Sequence, residues 1–596
     1  RVKMGEERRM EAILGIDLGT TNSAVAVLRD GEVTVLREEG EALVPSVVGL
    51  DGEGRLLVGA AARNQCVLAP DRTVRSIKRR MGEETLIRLG DQQYTPQEIS
   101  AFILRSLKDR AERHFGHPVR KAVITVPAFF NENQREATHE AGELAGLEVV
   151  RIINEPTAAS LSYESRAEGM ERLLVYDLGG GTFDVSVVQI EAGVVEVLSS
   201  HGDTRLGGDD FDQLLLDWVC DDFAKEHGVD LRESLVAKSR VLRAVEEAKI
   251  ALSFQAIATI EEEFIAEKRG VPLHWKREIE RHEYEELIGP LLDRTLTCVD
   301  ESLTDANLRV NQIDKVILVG GASRTPLVHR LLREQLAQEV HSEVDPDLCV
   351  TMGAAIQGGL IAGIDVGPIL VDITPHTLGI GTLGPLQGFL SPNHFSPVIE
   401  RNTSLPASRS EIFGTTYDGQ DAARIHVFQG EDEDVRHNDP VGEFRLKGLA
   451  EVQRGNEILV RFDLDLDGIL KVTATERATG LEKRLVVDNA VSRFRAKNRE
   501  EALARVAAAF ESSTSAPPVP RDADTDLSPE LKQTIGSCEE LISKAERIAP
   551  GVNPEDAAEM RELAGQLRTA ILERSQAEME ELLPKLEDLV FYLEDV

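Results

Sequence analysis

The sequence predicts an α/β region, then an all-β region, then a C-terminal α-helical bundle. Within residues 13–363, short runs rich in β-branched residues, such as 316–319, alternate with longer amphipathic stretches such as 96–113, which is typical of α/β proteins. Between residues 374 and 488 apolar and polar residues alternate in period two, as they do in antiparallel strands. From residue 528 onward the spacing of the apolar residues becomes helical.

Breaker residues separate these regions. An apolar peptide at 369–372, Ile-Leu-Val-Asp, lies between Gly-Pro at 367–368 and Pro375, so it is either a linker or an edge strand of a neighbouring domain. A linker that docks on a neighbouring domain would be a linker and an edge strand at once. Residues 512–527, rich in Ser, Pro and Asp, predict a flexible tether. The expected domains are an α/β domain at 12–366, a linker at 367–373, a β domain at 374–490, a first lid helix at 491–511, the tether at 512–527 and a helical bundle at 528–596.

Charge and composition exclude several classes of partner. The chain has 67 Lys and Arg against 104 Asp and Glu, a formal charge of -37, which repels nucleic-acid phosphates and anionic lipids. We therefore expect no nucleic-acid partner and no membrane partner. The five cysteines form no CxxC pair, and residues 1–12 lack the apolar stretch of a signal peptide, so a reducing, cytoplasmic setting is expected.

Two segments look like diverged copies of one phosphate-binding turn. Residues 13–22 and 173–184 each deliver Asp-x-Gly from a predicted strand, at Asp17 and Asp177, about 160 residues apart. Glycines let backbone N–H groups approach phosphate oxygens, and the carboxylates can hold hydrated Mg²⁺. One such turn could be an ordinary β-turn, but two copies predict a nucleotide clamped between two related lobes. A third glycine turn, 319–324, suits a purine and ribose site.

Five motifs occur in an order that identifies a family. They occupy residues 16–23, 124–130, 152–159, 177–184 and 206–212. Along almost all of its length the chain resembles the DnaK family of heat-shock chaperones. Further segments, among them Arg-Met-Gly at 80–82 and the run at 395–403, resemble the bacterial HscC branch.

The resemblance implies an actin-like (ribonuclease H-like) two-lobed ATPase domain, an all-β sandwich that holds extended apolar segments of unfolded polypeptides, and a helical lid. It also implies ATP or ADP with Mg²⁺, allows K⁺, and predicts a J-domain cochaperone and a nucleotide exchange factor as partners. Lys78 should face the γ-phosphate, whereas Glu155, Asp177 and Asp184 should position the attacking water and the waters of Mg²⁺. Thr182, in the second phosphate turn, is also expected to be catalytic. The sequence does not choose between Asp177 and Asp184 for orienting the attacking water.

The resemblance assigns further residues by matching position. Asp17 and Asp177 should hold Mg²⁺ through waters. Glu246, Lys249 and Ser253 recur at helical spacing and, taken alone, are typical of a solvated helix face. The expected nucleotide contacts are Asp17, Gly19, Thr20, Thr21, Asn22, Gly179, Gly180, Gly181, Gly207, Gly208, Glu246, Lys249, Ser253, Gly320, Gly321, Arg324 and Asp347.

Two more groups follow from the resemblance. The sequence departs from the best-known members at Thr416 and Ala423, and residues 386–397 look inserted or rearranged. The expected peptide channel comprises Ile380, Leu383, Phe413, Thr416, Ala423 and Ile425, and the expected interdomain and cochaperone positions are Pro127, Arg135, Arg151, Asn154, Ile369, Leu370, Val371 and Asp372.

Two other functions compete with this interpretation. A small-molecule kinase of the same superfamily would share both phosphate turns, but it would not need a linker, a β domain and a lid. A non-cycling peptide scaffold would bind ATP without hydrolysing it, and the presence of Lys78, Glu155, Asp177 and Thr182 argues against that.

Overall fold

The computed structural model describes residues 12–29, 31–163, 169–336, 340–341, 345–364, 369–486 and 501–510, with positions 563, 582, 583, 585 and 586. The chain forms two compact units, Arg1–Ser513 and Thr514–Val596. In the second unit, the five described positions are helical. Apart from those positions, the predicted tether and helical bundle lie outside the described residues, as do the start of the predicted linker and residues 491–500.

The α/β region contains strands β1 to β18 and helices α1 to α9, as its alternating pattern predicts. The strands are β1 Ile13–Asp17, β2 Asn22–Arg29, β3 Glu32–Val35, β4 Val44–Pro45, β5 Val47–Leu50, β6 Leu56–Val58, β7 Thr73–Arg75, β8 Ile87–Leu89, β9 Gln92–Tyr94, β10 Lys121–Val126, β11 Glu148–Asn154, β12 Glu171–Leu178, β13 Phe183–Glu191, β14 Val194–Asp203, β15 Ile257–Lys268, β16 Val271–Glu280, β17 Lys315–Val319 and β18 Val340–His341.

A capping box explains where helix α2 begins. Helix α2, predicted at 96–113, begins after Thr95, whose hydroxyl accepts from the backbone of Glu98 while the Glu98 carboxylate accepts from the backbone of Thr95. The helices are α1 Ala60–Gln65, α2 Pro96–Phe115, α3 Glu132–Leu144, α4 Glu155–Ser162, α5 Gly208–His227, α6 Leu235–Leu252, α7 Arg281–Asp305, α8 Pro326–Leu336 and α9 Cys349–Ile361.

Two six-stranded sheets repeat one plan. In the first, β1 pairs parallel with β10 and antiparallel with β2, giving the order β11-β10-β1-β2-β3, with β4 on β2. In the second, β12 pairs parallel with β17 and antiparallel with β13, giving the order β18-β17-β12-β13-β14 before the last strand. Because β1 and β12 are equivalent in this plan, Asp17, which ends β1, and Asp177, one residue before the end of β12, occupy equivalent places in the two lobes. Ligands of open α/β sheets bind outside such strand ends.

The last strand of the second sheet is β19 Ile369–Val371, which pairs parallel with β14. The sequence left open whether this peptide is a linker or an edge strand. In the structure it forms the edge of the sheet, and Leu370 packs against the hydrophobic core beneath it.

The β region forms two four-stranded antiparallel sheets, with strand orders β21-β20-β23-β24 and β22-β25-β26-β27. Ile425, Val460 and Phe462 belong to one core shared by both sheets, which makes the pair a sandwich. Its strands are β20 Leu378–Leu386, β21 Phe389–Ile399, β22 Ala407–Gly414, β23 Ala422–Gln429, β24 Asp439–Lys447, β25 Glu457–Leu464, β26 Leu470–Glu476 and β27 Glu482–Val486.

The stretch that looked inserted, 386–397, lies in the β20–β21 hairpin. Gln387 and Gly388 form its turn with φ values of 52° and 84°, as a two-residue turn with positive φ at both positions requires. The hairpin places Phe389 and Leu390 at its exposed tip, 79% and 72% accessible.

A helix at residues 501–510 packs on α2. The ring centroid of Phe510 lies 5.9 Å from that of Phe102, and Arg505 Nε donates to Glu98 Oε1 at 2.8 Å. The described residues within the predicted first lid helix are therefore helical. Across the described part of the chain, no helix combines the length and apolarity needed to cross a membrane.

Candidate functional site

A cavity of about 360 Å³ opens between the two lobes at the ends of β1 and β12. Of the residues predicted to bind nucleotide, Gly181 and Gly207 are not among those that line it, and of the predicted catalytic residues Asp184 is not. The predicted residues that do line it are Asp17, Gly19, Thr20, Thr21, Asn22, Lys78, Glu155, Asp177, Gly179, Gly180, Thr182, Gly208, Glu246, Lys249, Ser253, Gly320, Gly321, Arg324 and Asp347.

The three glycine turns pack tightly around this cavity. A Cβ on Gly180 would lie 1.9 Å from Thr21 Oγ1, so the first and second turns touch only because that position has no side chain. Gly320 has φ 79°, and a Cβ there would lie 2.4 Å from the carbonyl oxygen of Leu178. Backbone groups of all three turns therefore face one small space.

Buried carboxylates dominate the floor between the lobes. Lys78 donates to Glu155 Oε1, and both side chains are buried. Thr125 Oγ1 donates to Asp17 Oδ1 at 2.9 Å, and the backbone N–H of Phe129 donates to Asp184 Oδ1 at 2.9 Å.

The acidic groups repel one another. Burial, with the charge of Glu155 as the next cause, raises the pKa of both Asp17 and Asp184 to about 7. The same two causes raise the pKa of Asp177 well above its ordinary value, whereas Lys78 opposes the shift. Four carboxylates against one ammonium leave excess negative charge, which fits a bound cation.

The donor set suits a hydrated ion better than a directly coordinated one. Among the described residues, no three His, Cys, Asp or Glu side chains converge closely enough to hold a metal directly. Mg²⁺ commonly keeps several waters and is held through one or two carboxylates and substrate phosphates. Asp17 and Asp177 fit that mode of binding.

Two further charged pairs involve residues that line the cavity. Lys249 Nζ donates to Asp212 Oδ2 at 2.8 Å and to the carbonyl of Gly208 at 3.2 Å. Arg324 Nη2 donates to Asp347 Oδ2 at 2.6 Å. Lys249 thus joins α6 to α5, and the turn after β17 is joined to the segment before α9.

Contacts across the cleft were missed by sequence reasoning. Arg75 Nη2 lies 3.1 Å from Glu246 Oε2, and Arg79 Nη2 lies 3.0 Å from Asp210 Oδ1. Ser76 Oγ also donates to Asp209 Oδ2 at 2.5 Å. The basic run that contains Lys78 indicated contacts with anions or carboxylates, but the sequence did not indicate which acidic residues are the partners.

Three of the predicted interdomain residues are hydrogen-bonded in a chain next to β19. Arg135 Nη2 donates to Asn154 Oδ1 at 2.7 Å, and Asn154 Nδ2 donates to both carboxylate oxygens of Asp372 at 3.0 Å. Arg151 Nε lies 3.6 Å from Asp467 Oδ1 in the β sandwich. Burial raises the pKa of Asp372 although the nearby Arg135 lowers it.

The α/β region and the β sandwich share a further contact, which the sequence did not indicate. Glu132 Oε1 accepts from the backbone N–H of Leu470 at 2.7 Å, and the backbone N–H of Glu132 donates to Gln429 Oε1 at 3.1 Å. Burial raises the pKa of Glu132 to about 8. The ring centroid of Phe129, whose backbone contacts Asp184, lies 4.3 Å from that of His376. Phe130 N donates to the carbonyl of Pro127 at 3.2 Å in the same turn.

The predicted peptide-channel residues fall into two groups. Ile380, Ala423 and Ile425 are buried in the sandwich core. Leu383 is 48% accessible, Phe413 is half-buried and Thr416 is exposed. The first group therefore lies within the core, and the second lies nearer to solvent.

Comparison with known proteins places the chain in a family. The model of the family described as Hsp70 protein matches residues 13–88 and 83–594. The chain belongs to the Hsp70 family. This Hsp70 is 47% identical over 488 residues to the chaperone protein DnaK of Thermotoga petrophila and to that of Thermotoga maritima, covering 80% of each chain. The DnaK of Thermotoga neapolitana matches to the same extent.

Family membership settles the class of activity. This Hsp70 is an ATP-dependent chaperone and an ATPase. Members of the family bind ATP and ADP, generally with Mg²⁺. The acidic floor and the glycine turns of the interlobe cavity fit such a ligand.

Proposed function

We propose that this Hsp70 binds extended apolar segments of unfolded polypeptides in its β sandwich and releases them when ATP binds between the two α/β lobes. The observation that carries the proposal is β19, because this strand belongs to the second sheet of the α/β region while the chain continues directly into the sandwich. Asp372, at the junction, is bonded to Asn154, which also accepts from Arg135.

In the proposed nucleotide site, two turns surround the phosphates. The first comprises Asp17, Gly19, Thr20, Thr21 and Asn22, and the second comprises Gly179, Gly180, Gly181 and Thr182. Backbone N–H groups and hydroxyls supply the donors, as anion-binding turns do. The nucleoside and the remaining phosphate oxygens are contacted by the third turn and by six residues outside the turns. The third turn contributes Gly320, Gly321 and Arg324, and the six residues are Gly207, Gly208, Glu246, Lys249, Ser253 and Asp347.

Hydrolysis in this site depends on positioning and on neutralising charge. Lys78 faces the γ-phosphate, and Glu155 fixes the direction of its ammonium group. Asp177 or Asp184 orients the attacking water, and either carboxylate can accept its proton because both titrate above their ordinary range. Mg²⁺, when bound through water to Asp17 and Asp177, neutralises phosphate charge. K⁺ is a second candidate ion for the same acidic floor.

The proposed route from nucleotide to peptide runs through the contacts around β19. Asp184 accepts from the backbone of Phe129, and this turn also contains Pro127. Arg135 joins the turn to Asn154, because its guanidinium donates to the carbonyl of Ala128 at 2.9 Å as well as to Asn154. A shift of Asp184 and its neighbours when phosphate binds can therefore change the equilibrium between β19 paired with the sheet and β19 detached from it.

Peptide binding in the proposed channel uses an apolar pocket and strand-like hydrogen bonds. Ile380, Ala423 and Ile425 form its floor, and Leu383, Phe413 and Thr416 form its walls. Such a site holds a Leu-like side chain while backbone groups hold the extended peptide, so sequence selectivity is low.

The domain boundaries, branch and setting are part of the proposal. We place the ATPase domain at 12–366, the linker at 367–373, the sandwich at 374–490, the first lid helix at 491–511, the tether at 512–527 and the lid bundle at 528–596. The segments at 80–82 and 395–403 support the HscC branch. We also propose a cytoplasmic setting and two partners. One is a J-domain cochaperone that contacts Arg151 and Asn154, and the other is a nucleotide exchange factor.

Peptide-stimulated hydrolysis tests this function against the competing kinase. The purified chain is given γ-labelled ATP with and without a Leu-rich extended peptide, and the label is followed into inorganic phosphate and into added sugars or acetate. We expect faster phosphate release with peptide and no labelled small molecule. Transfer of label to a sugar or acetate, with no response to peptide, would support the kinase instead.

A further inference from the structure

Phe254 lines the interlobe cavity but belongs to none of the motifs that predicted the nucleotide site. We propose that Phe254 forms an aromatic wall on which the nucleobase stacks, so that it sets the affinity for nucleotide. This inference rests on the proposed nucleotide site and adds a base contact to it.

Two large apolar side chains of the cavity lining are exposed. Phe254 is 74% accessible and Ile250 is 54% accessible, and both line the cavity. They stand four residues apart, and the polar Ser253, also in the lining, lies between them. Exposed apolar area on this scale is stabilised when a flat apolar partner covers it.

The turn that carries Phe254 is held in place despite the exposure of its side chain. The backbone N–H of Phe254 donates to the carbonyl of Ala251 at 2.9 Å. Arg281 then donates from Nε to the carbonyl of Leu252 at 2.8 Å and from Nη2 to the carbonyl of Gln255 at 2.7 Å. The Phe254 ring is therefore presented from a fixed backbone, which lowers the entropic cost of binding against it.

The chemistry of the lining decides which part of a ligand meets Phe254. The glycine turns and carboxylates suit phosphates and their cation, so the base is the part of a nucleotide that the apolar side chains suit. There a purine finds the Phe254 ring, the Ile250 side chain and the Ser253 hydroxyl. Aromatic faces in offset contact gain about 0.5–1.5 kcal/mol beyond area burial, a roughly two- to twelvefold change in affinity.

The test compares Phe254→Ser, Phe254→Trp and Leu235→Ser in the full chain. Leu235, 62% accessible, begins helix α6, about 25 Å along the axis from the end of the helix that Phe254 follows, and serves as the matched control. Calorimetric titration with ADP should show roughly two- to twelvefold weaker binding in Phe254→Ser, and unchanged binding in Phe254→Trp and Leu235→Ser.

A second readout separates base stacking from damage to the site. At saturating ATP, Phe254→Ser should slow single-turnover hydrolysis by a smaller factor than it weakens ADP binding, because the substitution leaves the glycine turns and carboxylates in place. Equal ADP affinity in Phe254→Ser and the parent chain would overturn the inference and leave Phe254 as a surface for a protein partner. A loss shared by Leu235→Ser would overturn it as well. A parent chain that binds no nucleotide would instead overturn the proposed function.

Discussion

At the scale of single residues, the floor of the interlobe cavity is a charge-imbalanced cluster. Lys78 donates to Glu155, while Asp17, Asp177 and Asp184 titrate above their ordinary range because they are buried near one another and near Glu155. Such a cluster is unfavourable in the empty site. A bound cation and a positioned ammonium group relieve that repulsion, which links nucleotide binding to the electrostatics of the site.

Substitution of Lys78 tests the proposed phosphate contact. We expect Lys78→Ala to slow single-turnover hydrolysis by about a hundred- to a thousandfold, because removing one preorganised electrostatic contact typically has that effect. Binding of ATP should change much less. The control is Lys276→Ala, since the Lys276 side chain is 65% accessible and pairs with Glu261 on the β15–β16 hairpin. Hydrolysis at the parent rate in Lys78→Ala would remove Lys78 from the mechanism.

The raised pKa of Asp184 gives a prediction about stability. Between the ordinary value of 3.8 and its folded value of about 7, the folded chain holds a proton that the unfolded chain has released. The stability of the nucleotide-free chain therefore falls as pH rises through this range. Asp184→Asn removes the titration, so its gain in melting temperature over the parent should be larger at pH 7.5 than at pH 5, by about a few degrees.

Thermal unfolding without nucleotide, followed at both pH values, measures this difference. Asp91→Asn is the matched control, because the Asp91 side chain is fully exposed. The same gain at both pH values in Asp184→Asn would show that Asp184 is not held protonated in the folded chain.

At the scale of elements, β19 is the part that connects the two functions. It adds a parallel edge strand to the second sheet, and its next residue, Asp372, is fixed by Asn154. An edge strand of three residues has few hydrogen bonds to lose. Such a strand can therefore detach from the sheet and pair with it again.

Two substitutions test this element. Leu370→Asp places a charge against the core beneath β19, and Asp372→Asn removes the charge that faces Arg135. Both should reduce ATP-triggered peptide release while peptide binding without ATP persists, because docking can shift the equilibrium only by its differential stability. Val271→Asp, at a strand residue 59% accessible on β16, should have no effect. Parent-like release in both test variants would make β19 a passive tether.

Local patterns predicted most elements but not their partners. The strand at 316–319 and the helix at 96–113 follow from periodicity and capping, and both are present as β17 and α2. Asp17 and Asp177 could be singled out because Asp-x-Gly after a strand is itself a local signal. Lys78 came only from the family resemblance, since a lysine in a basic run has no distinctive pattern.

Contacts between distant elements were outside the reach of such patterns. The pairs Arg75–Glu246 and Glu132–Leu470 join residues more than 150 positions apart, and tertiary docking alone brings them together. Phe254 was missed for a different reason. A single aromatic residue after a helix predicts a buried core position, whereas the structure leaves it exposed on the cavity.

At the scale of the whole molecule, two similar lobes enclose the cavity and a β sandwich docks against them. The docking contacts include Glu132 with Leu470, Phe129 with His376, and Arg151 with Asp467. Phe129 also contacts Asp184, so one turn connects the floor of the cavity to the sandwich. This connection gives nucleotide binding a physical means of altering peptide binding.

The most direct test of this account is the dissociation rate of a fluorescent, Leu-rich extended peptide from the full chain, measured by stopped flow with and without ATP and Mg²⁺. Coupling between sites typically changes affinity about 5- to 150-fold. We therefore predict that ATP accelerates peptide dissociation by a factor in that range, and that ADP does not. A dissociation rate unaffected by ATP, in a preparation that binds and hydrolyses ATP, would contradict the account.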